Sequence, residues 1–158
     1  FLRKHVETGQ TILDLGVENP FSEIMVEAGY QVTNTRGEDL DLNLKNVQET
    51  NAEVVTAFEI LEHLVAPLNV LRAIPGDKLL ASVPLRLWFA SAYRSKTDPW
   101  DRHYHEFEDW QFDWLLEKAG WQVKDQLQWT HPVGKIGFRP LLRRFTPRYY
   151  LVYAERIS

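Results

Sequence analysis

The sequence predicts an α/β fold on a mostly parallel sheet whose last strand is antiparallel, and three observations carry that reading. Short apolar runs alternate with stretches of helical spacing between Thr11 and Ala119. Helix limits are punctuated, by Asn19-Pro20 before one helix and by Gly29 and Gly120 after two. The last two apolar runs follow one another with no helical pattern between them, as expected of an antiparallel edge pair.

The elements follow in order. Thr11 to Gly16 is a short apolar strand ending in glycine, and Asn19 caps a helix from Pro20 to about Ala28. Tyr30 to Asn34 alternates as a second strand, and Glu53 to Phe58 is a buried third. Leu61, Leu64, Leu68 and Leu71 lie at helical spacing, which predicts one helix over Glu59 to Ala73. Lys78 to Val83 is the next strand, Glu108 to Ala119 an amphipathic helix, Trp121 to Trp129 a strand, and Arg148 to Arg156 the last. Between Asn34 and Asp41 there are too few residues for a parallel crossover, so the sheet is expected to be truncated at its edge after the second strand. Leu40, Leu42 and Leu44 alternate with Asp41 and Asn43 and are read as a short strand there. The shortened edge leaves room for a partner, a second copy of the chain included.

Composition narrows the function classes. With 158 residues, 44% of them hydrophobic, the chain is expected to form a single domain over 1–158. A net charge of −4 argues against a general nucleic-acid binder, since phosphate binding needs clustered Lys and Arg. Such a cluster exists locally at Lys135, Arg139, Arg143, Arg144 and Arg148, which reads as a solvated connector or an anion-facing patch. The absence of cysteine excludes disulfides and thiolate chemistry and favours a cytoplasmic setting. No apolar run reaches the length of a membrane span. The chain begins at Phe1 rather than Met, as a fragment would.

Four segments in fixed order carry a resemblance. They are Ile12-Leu13-Asp14-Leu15-Gly16, Phe58-Glu59-Ile60-Leu61-Glu62-His63-Leu64, Leu79 to Pro84, and His103 with Phe107 before Leu115 to Trp121. Together they resemble the motifs of class I S-adenosylmethionine-dependent methyltransferases, in particular the small type 11 branch with its E-x-L-E-H-L segment. The resemblance implies a Rossmann-like methyltransferase fold, S-adenosylmethionine as cofactor, and a small or envelope-related methyl acceptor. It also implies a cofactor site at the carboxyl ends of the strands. Asp14 and Gly16 would contact its methionyl part, Asn34 its ribose, Asp41 its adenine, and Phe58 with Glu59 the opposite wall. Each has a plainer role open to it: Asp14 and Asp41 as caps of backbone amides, Asn34 as a turn residue, Phe58 as core.

The departures from that pattern point to a weakened cofactor site. The family loop reads D-x-G-x-G-x-G, but Glu18 and Pro20 occupy the second and third glycine positions. Glu18 places a carboxylate where the cofactor's own carboxylate would approach. Asn34 stands where the family has an acid, and its amide cannot give a ribose the two charge-assisted bonds of a carboxylate. A catalytically impaired, methyltransferase-like binding scaffold is therefore the alternative to an active enzyme.

On the acceptor side, methyl transfer to a hydroxyl needs alignment and a base. His103 and His105, with Asp101 to orient them, are the candidate catalytic group; no metal site is predicted. The long stretches Pro84 to Tyr104 and Thr130 to Pro147 are candidate substrate rims, with Trp88, Phe89, Tyr93 and Trp100 as an apolar roof.

Overall fold

A computed structural model describes residues 1–157. Six strands form one sheet: β1 Thr11–Asp14, β2 Gln31–Asn34, β3 Val54–Phe58, β4 Lys78–Pro84, β5 Trp121–Trp129 and β6 Tyr149–Arg156. Their order is β2-β1-β3-β4-β6-β5. The first four run parallel; β6 is antiparallel to both β4 and β5. β6 thus inserts between β4 and its predecessor in sequence, which a bare list of strands does not reveal.

Strand alternation divides the core between two faces. Leu13, Val55, Ala57, Leu79 and Ala81 lie on one face, against α4 (Pro67–Ala73), α5 (Asp109–Lys118) and the four-residue α3 (Lys45–Gln48). Ile12, Val54 and Leu80 belong to the other face, with Met25 of α2 (Pro20–Glu27) and Tyr153. Burial on both faces explains why these strands read as continuous apolar runs.

A short first helix, α1 (Leu2–His5), is fastened across the far end of the sheet. Lys4 Nζ and His5 Nε2 both reach Asp125 Oδ2, at 2.7 and 2.6 Å, and the His5 ring stacks on Tyr153. The bonds from Lys4 and then His5 hold the Asp125 carboxyl at about 2, below its ordinary 3.8. A carboxyl lowered on folding stabilises the folded form above its ordinary value, and that contribution is lost as pH falls through the folded one. Docking of α1 is therefore expected to loosen between about pH 4 and pH 2. Exchange protection of the Val6 amide, which donates to Leu2 O, should fall over that window and lose its acid dependence in Asp125→Asn.

Three sequence expectations about the elements need correction. The Leu40 to Leu44 segment is a turn rather than a strand: the Asp39 carbonyl accepts from the Leu42 and Asn43 amides, and Asp39 Oδ1 accepts from the Asp41 amide. Those local bonds take the donors a strand would need. The edge is otherwise as expected, with β2 outermost and no crossover helix between Asn34 and Asp41. The helix expected from Glu59 to Ala73 is broken into a 3₁₀ turn at Leu61–His63 and α4. Pro67 at the head of α4 has no amide hydrogen and forces Ala66 out of the helical region, to φ −127° and ψ 62°. Finally, the connector from Thr130 to Pro147 contains a short helix, α6 (Phe138–Leu142), which buries none of its residues. Among the described residues, no helix is long and apolar enough to cross a membrane.

Candidate active site

The carboxyl ends of β1, β2 and β3 converge on Asp14, whose side chain is buried and saturated with hydrogen bonds. Its Oδ1 accepts from Thr56 Oγ1 at 2.5 Å. Its Oδ2 accepts from Ser22 Oγ at 3.0 Å, Asn34 Nδ2 at 3.1 Å and Asn19 Nδ2 at 3.2 Å. Asn34 also donates to Ser22 Oγ. The amide at the position of the family acid is thus turned inward, onto the carboxylate of β1, where a second carboxylate would be repelled.

The loop after β1 closes on itself as well. Asn19 Oδ1 accepts from the Phe21 and Ser22 amides, so the anion-attracting N-terminus of α2 is capped by its own side chain. Gly16 keeps a left-handed φ of 108°, and its amide donates to Thr35 Oγ1 at 2.7 Å. Gly37, at φ 80°, lies where a Cβ would come within 2.9 Å of Val17. Glu18 is exposed.

A cleft of about 1010 Å³ opens beside this loop. One wall is Gly16, Val17 and Thr35 followed by Gly37 to Leu42; another is Ile60 with His63 to Ala66; the rim is Pro99, Trp100, Arg102 and Tyr104. Asp41 lines it, but its carboxylate is occupied, accepting from the Val65 amide at 2.7 Å and the Ala66 amide at 2.8 Å. Glu38 and Asp39 are the acids that sequence reasoning missed. Glu38 is held below its ordinary value against the opposing effect of burial, by bonds from its own backbone, Asn46 and Arg36. Asp39 spends Oδ1 on the Asp41 amide. The run Glu38-Asp39, in the loop four residues past the end of β2, was the available signal. Glu18, Asn34, Phe58 and Glu59 do not line this cleft; Phe58 faces Phe21 in a recess of about 260 Å³ beside Asp14.

Behind the rim the candidate catalytic group is divided. Asp101 accepts a hydrogen bond from the Tyr93 hydroxyl, and no hydrogen bond joins it to His103 among the described residues. His105 Nε2 meets the Val65 carbonyl at 3.3 Å, and its ring stacks on Phe107. His103 instead meets His63 edge-on, with ring centroids 4.7 Å apart, and lies against Tyr93. Burial first, then the neighbouring His63 and Arg148, push His103 below its ordinary value and favour the neutral ring. Of the aromatic roof, Trp100 reaches the cleft; Trp88 is exposed and packs on Phe89. No residue from Thr130 to Pro147 lines it.

Glu59 and Glu62 complete this side. Glu59 adopts φ 52° and accepts from Ser82 Oγ at 2.8 Å; burial raises its pKa. Glu62 is 1% exposed, and burial followed by the Glu59 charge pushes it up to about 8.

No family model and no curated protein matches the sequence, but solved structures match the fold. The 1,6-didemethyltoxoflavin-N1-methyltransferase of Burkholderia thailandensis, with bound 1,6-didemethyltoxoflavin and S-adenosylhomocysteine, superposes with a TM-score of 0.69. It is 17% identical over 99% of this chain and 75% of its own. The magnesium protoporphyrin IX methyltransferase of Synechocystis, with bound S-adenosylhomocysteine, gives 0.62 and 12%, over 94% and 75% of the two chains. This chain has the class I S-adenosylmethionine-dependent methyltransferase fold. The cyclase SpnF shares that fold, with a TM-score of 0.57 and 12% identity over 97% of this chain and 77% of its own. A methyltransferase fold therefore does not by itself name a reaction, which must be argued from the site.

Proposed function

We propose that the chain transfers a methyl group from S-adenosylmethionine to a small acceptor, an envelope constituent among the candidates. The observation that carries this reading is the cleft at the carboxyl ends of the strands, where the methyltransferase fold binds its cofactor. Its residues fit that cofactor in three ways. Gly16 leaves the floor bare of a Cβ, Asp39 keeps one carboxylate oxygen, Oδ2, for a ribose hydroxyl, and Ile60 and Leu64 supply an apolar wall. The cofactor supplies an electrophilic methyl on a sulfonium. The chain's part is to align the acceptor, exclude water and manage its proton, for which the imidazoles of His63 and His103 stand behind the rim.

Binding is expected to be weak, because Asp14, Asn34 and Asp41 spend their polar atoms inside the protein. Calorimetry with S-adenosylhomocysteine should give one site with Kd above about 10 μM. Asp39→Ala should weaken it about tenfold, the loss of one charge-assisted contact, and Gly16→Val should abolish it. The same inward bonds favour the alternative, a scaffold that binds a partner or metabolite without catalysis. Absence of binding at about 1 mM cofactor product would decide for that alternative.

A further inference from the structure

We propose that Glu62, His63 and His103 bind one first-row divalent cation behind the rim of the cleft, which His63 lines, with open coordination positions toward the acceptor. Their donor atoms all lie within 4.8 Å of one another. Glu62 is almost completely buried, yet its Oε2 has no hydrogen-bond partner among the described residues. A buried carboxyl oxygen left unpaired is uncommon, and here it belongs to a side chain whose other oxygen is 3.8 Å from His63 Nε2.

His63 is oriented for a cation. His63 Nδ1 lies 3.0 Å from the Arg102 carbonyl, which can only accept, so that nitrogen carries the proton and Nε2 presents its lone pair toward Glu62. A backbone carbonyl fixing the far nitrogen is the usual outer support of a ligating imidazole. The segments are also tied together, since the Tyr104 and His105 amides both donate to the Glu62 carbonyl, at 2.8 and 3.3 Å.

The donor set narrows the ion. Two imidazoles with a carboxylate suit zinc, iron, cobalt or manganese better than magnesium or calcium. Bonds of about 2.0–2.2 Å would draw the donors to roughly 3.4 Å apart, a closure within reach of small side-chain rotations. A cation there would lower the pKa of an acceptor hydroxyl. That consequence rests on the methyl-transfer reading; cation binding does not.

The test is calorimetry on the full chain after EDTA treatment, with Zn²⁺, Mn²⁺ and Mg²⁺ added separately and no S-adenosylhomocysteine present. One Zn²⁺ or Mn²⁺ per chain is expected, with Mg²⁺ at least about tenfold weaker. Glu62→Gln and His103→Gln should each weaken uptake about tenfold or more, while His131→Gln, at an exposed histidine outside the cluster, should not. Mn²⁺ bound to the unaltered chain should show nitrogen coupling in its paramagnetic resonance, a readout independent of whether the variants fold. Failure of Zn²⁺ and Mn²⁺ to saturate, absence of that coupling, or unchanged affinity in both folded variants would overturn the proposal. Cation uptake without binding of S-adenosylhomocysteine would count against the methyl-transfer reading alone.

Discussion

Replacing Asp14 by alanine is expected to cost about 3–5 kcal/mol of folding stability, read from urea denaturation. The side chain accepts from Thr56, Ser22, Asn34 and Asn19, and it joins β1 to β2, β3 and the head of α2. Alanine strands those donors around a 2% exposed position, where water cannot readily replace the acceptor. Asp14→Asn keeps one acceptor oxygen and should lose less, about 1–3 kcal/mol. Against a total stability of about 5–15 kcal/mol the alanine change is severe. A loss below about 1 kcal/mol would show that the network is incidental.

A comparable loss, about 4–5 kcal/mol, is expected for Trp121→Ala, measured the same way. Trp121 is 1% exposed and packs against the side of the sheet covered by α4 and α5. Its Nε1–H donates to the Leu71 carbonyl at 2.9 Å, and the Arg156 guanidinium lies 3.9 Å over the ring. Arg156 in turn donates to the Ile74 and Ala119 carbonyls, so one indole organises the ends of both helices. Trp121→Phe retains most of the packing and should lose about 1–3 kcal/mol, chiefly the orphaned carbonyl. Equal losses in the two variants would refute the division between packing and hydrogen bonding.

The central strands were legible because both of their faces are buried, which leaves Ile12-Leu13 and Val54-Val55 as uninterrupted apolar pairs. β5 lies over Trp121–Trp129, as expected, and α5 over Asp109–Lys118 differs from expectation by one residue at each end. What escaped was set by side chains acting on backbone. Asp39 wins the amides of its own turn from a strand, and Pro67 divides a leucine pattern that looks continuous by spacing alone. For the candidate site, the sequence carries the residues but not their orientation. Gly16 and Asp41 do line the cleft, yet a sequence cannot show that the Asn34 amide turns toward Asp14 or that Asp41 caps Val65 and Ala66. Nor does spacing bring Glu62 and His63 to His103, because that meeting depends on how the long segment after β4 folds back over the 3₁₀ turn.

The cofactor cleft is tested most directly by a crystal structure of the chain soaked with S-adenosylhomocysteine. The ligand is expected over Gly16, with its ribose toward Glu38 and Asp39 and its base toward the wall of Leu64 to Ala66, while Asn34 stays bonded to Asp14. Density for the ligand outside this cleft, or a ribose held by an Asn34 side chain swung away from Asp14, would contradict the account.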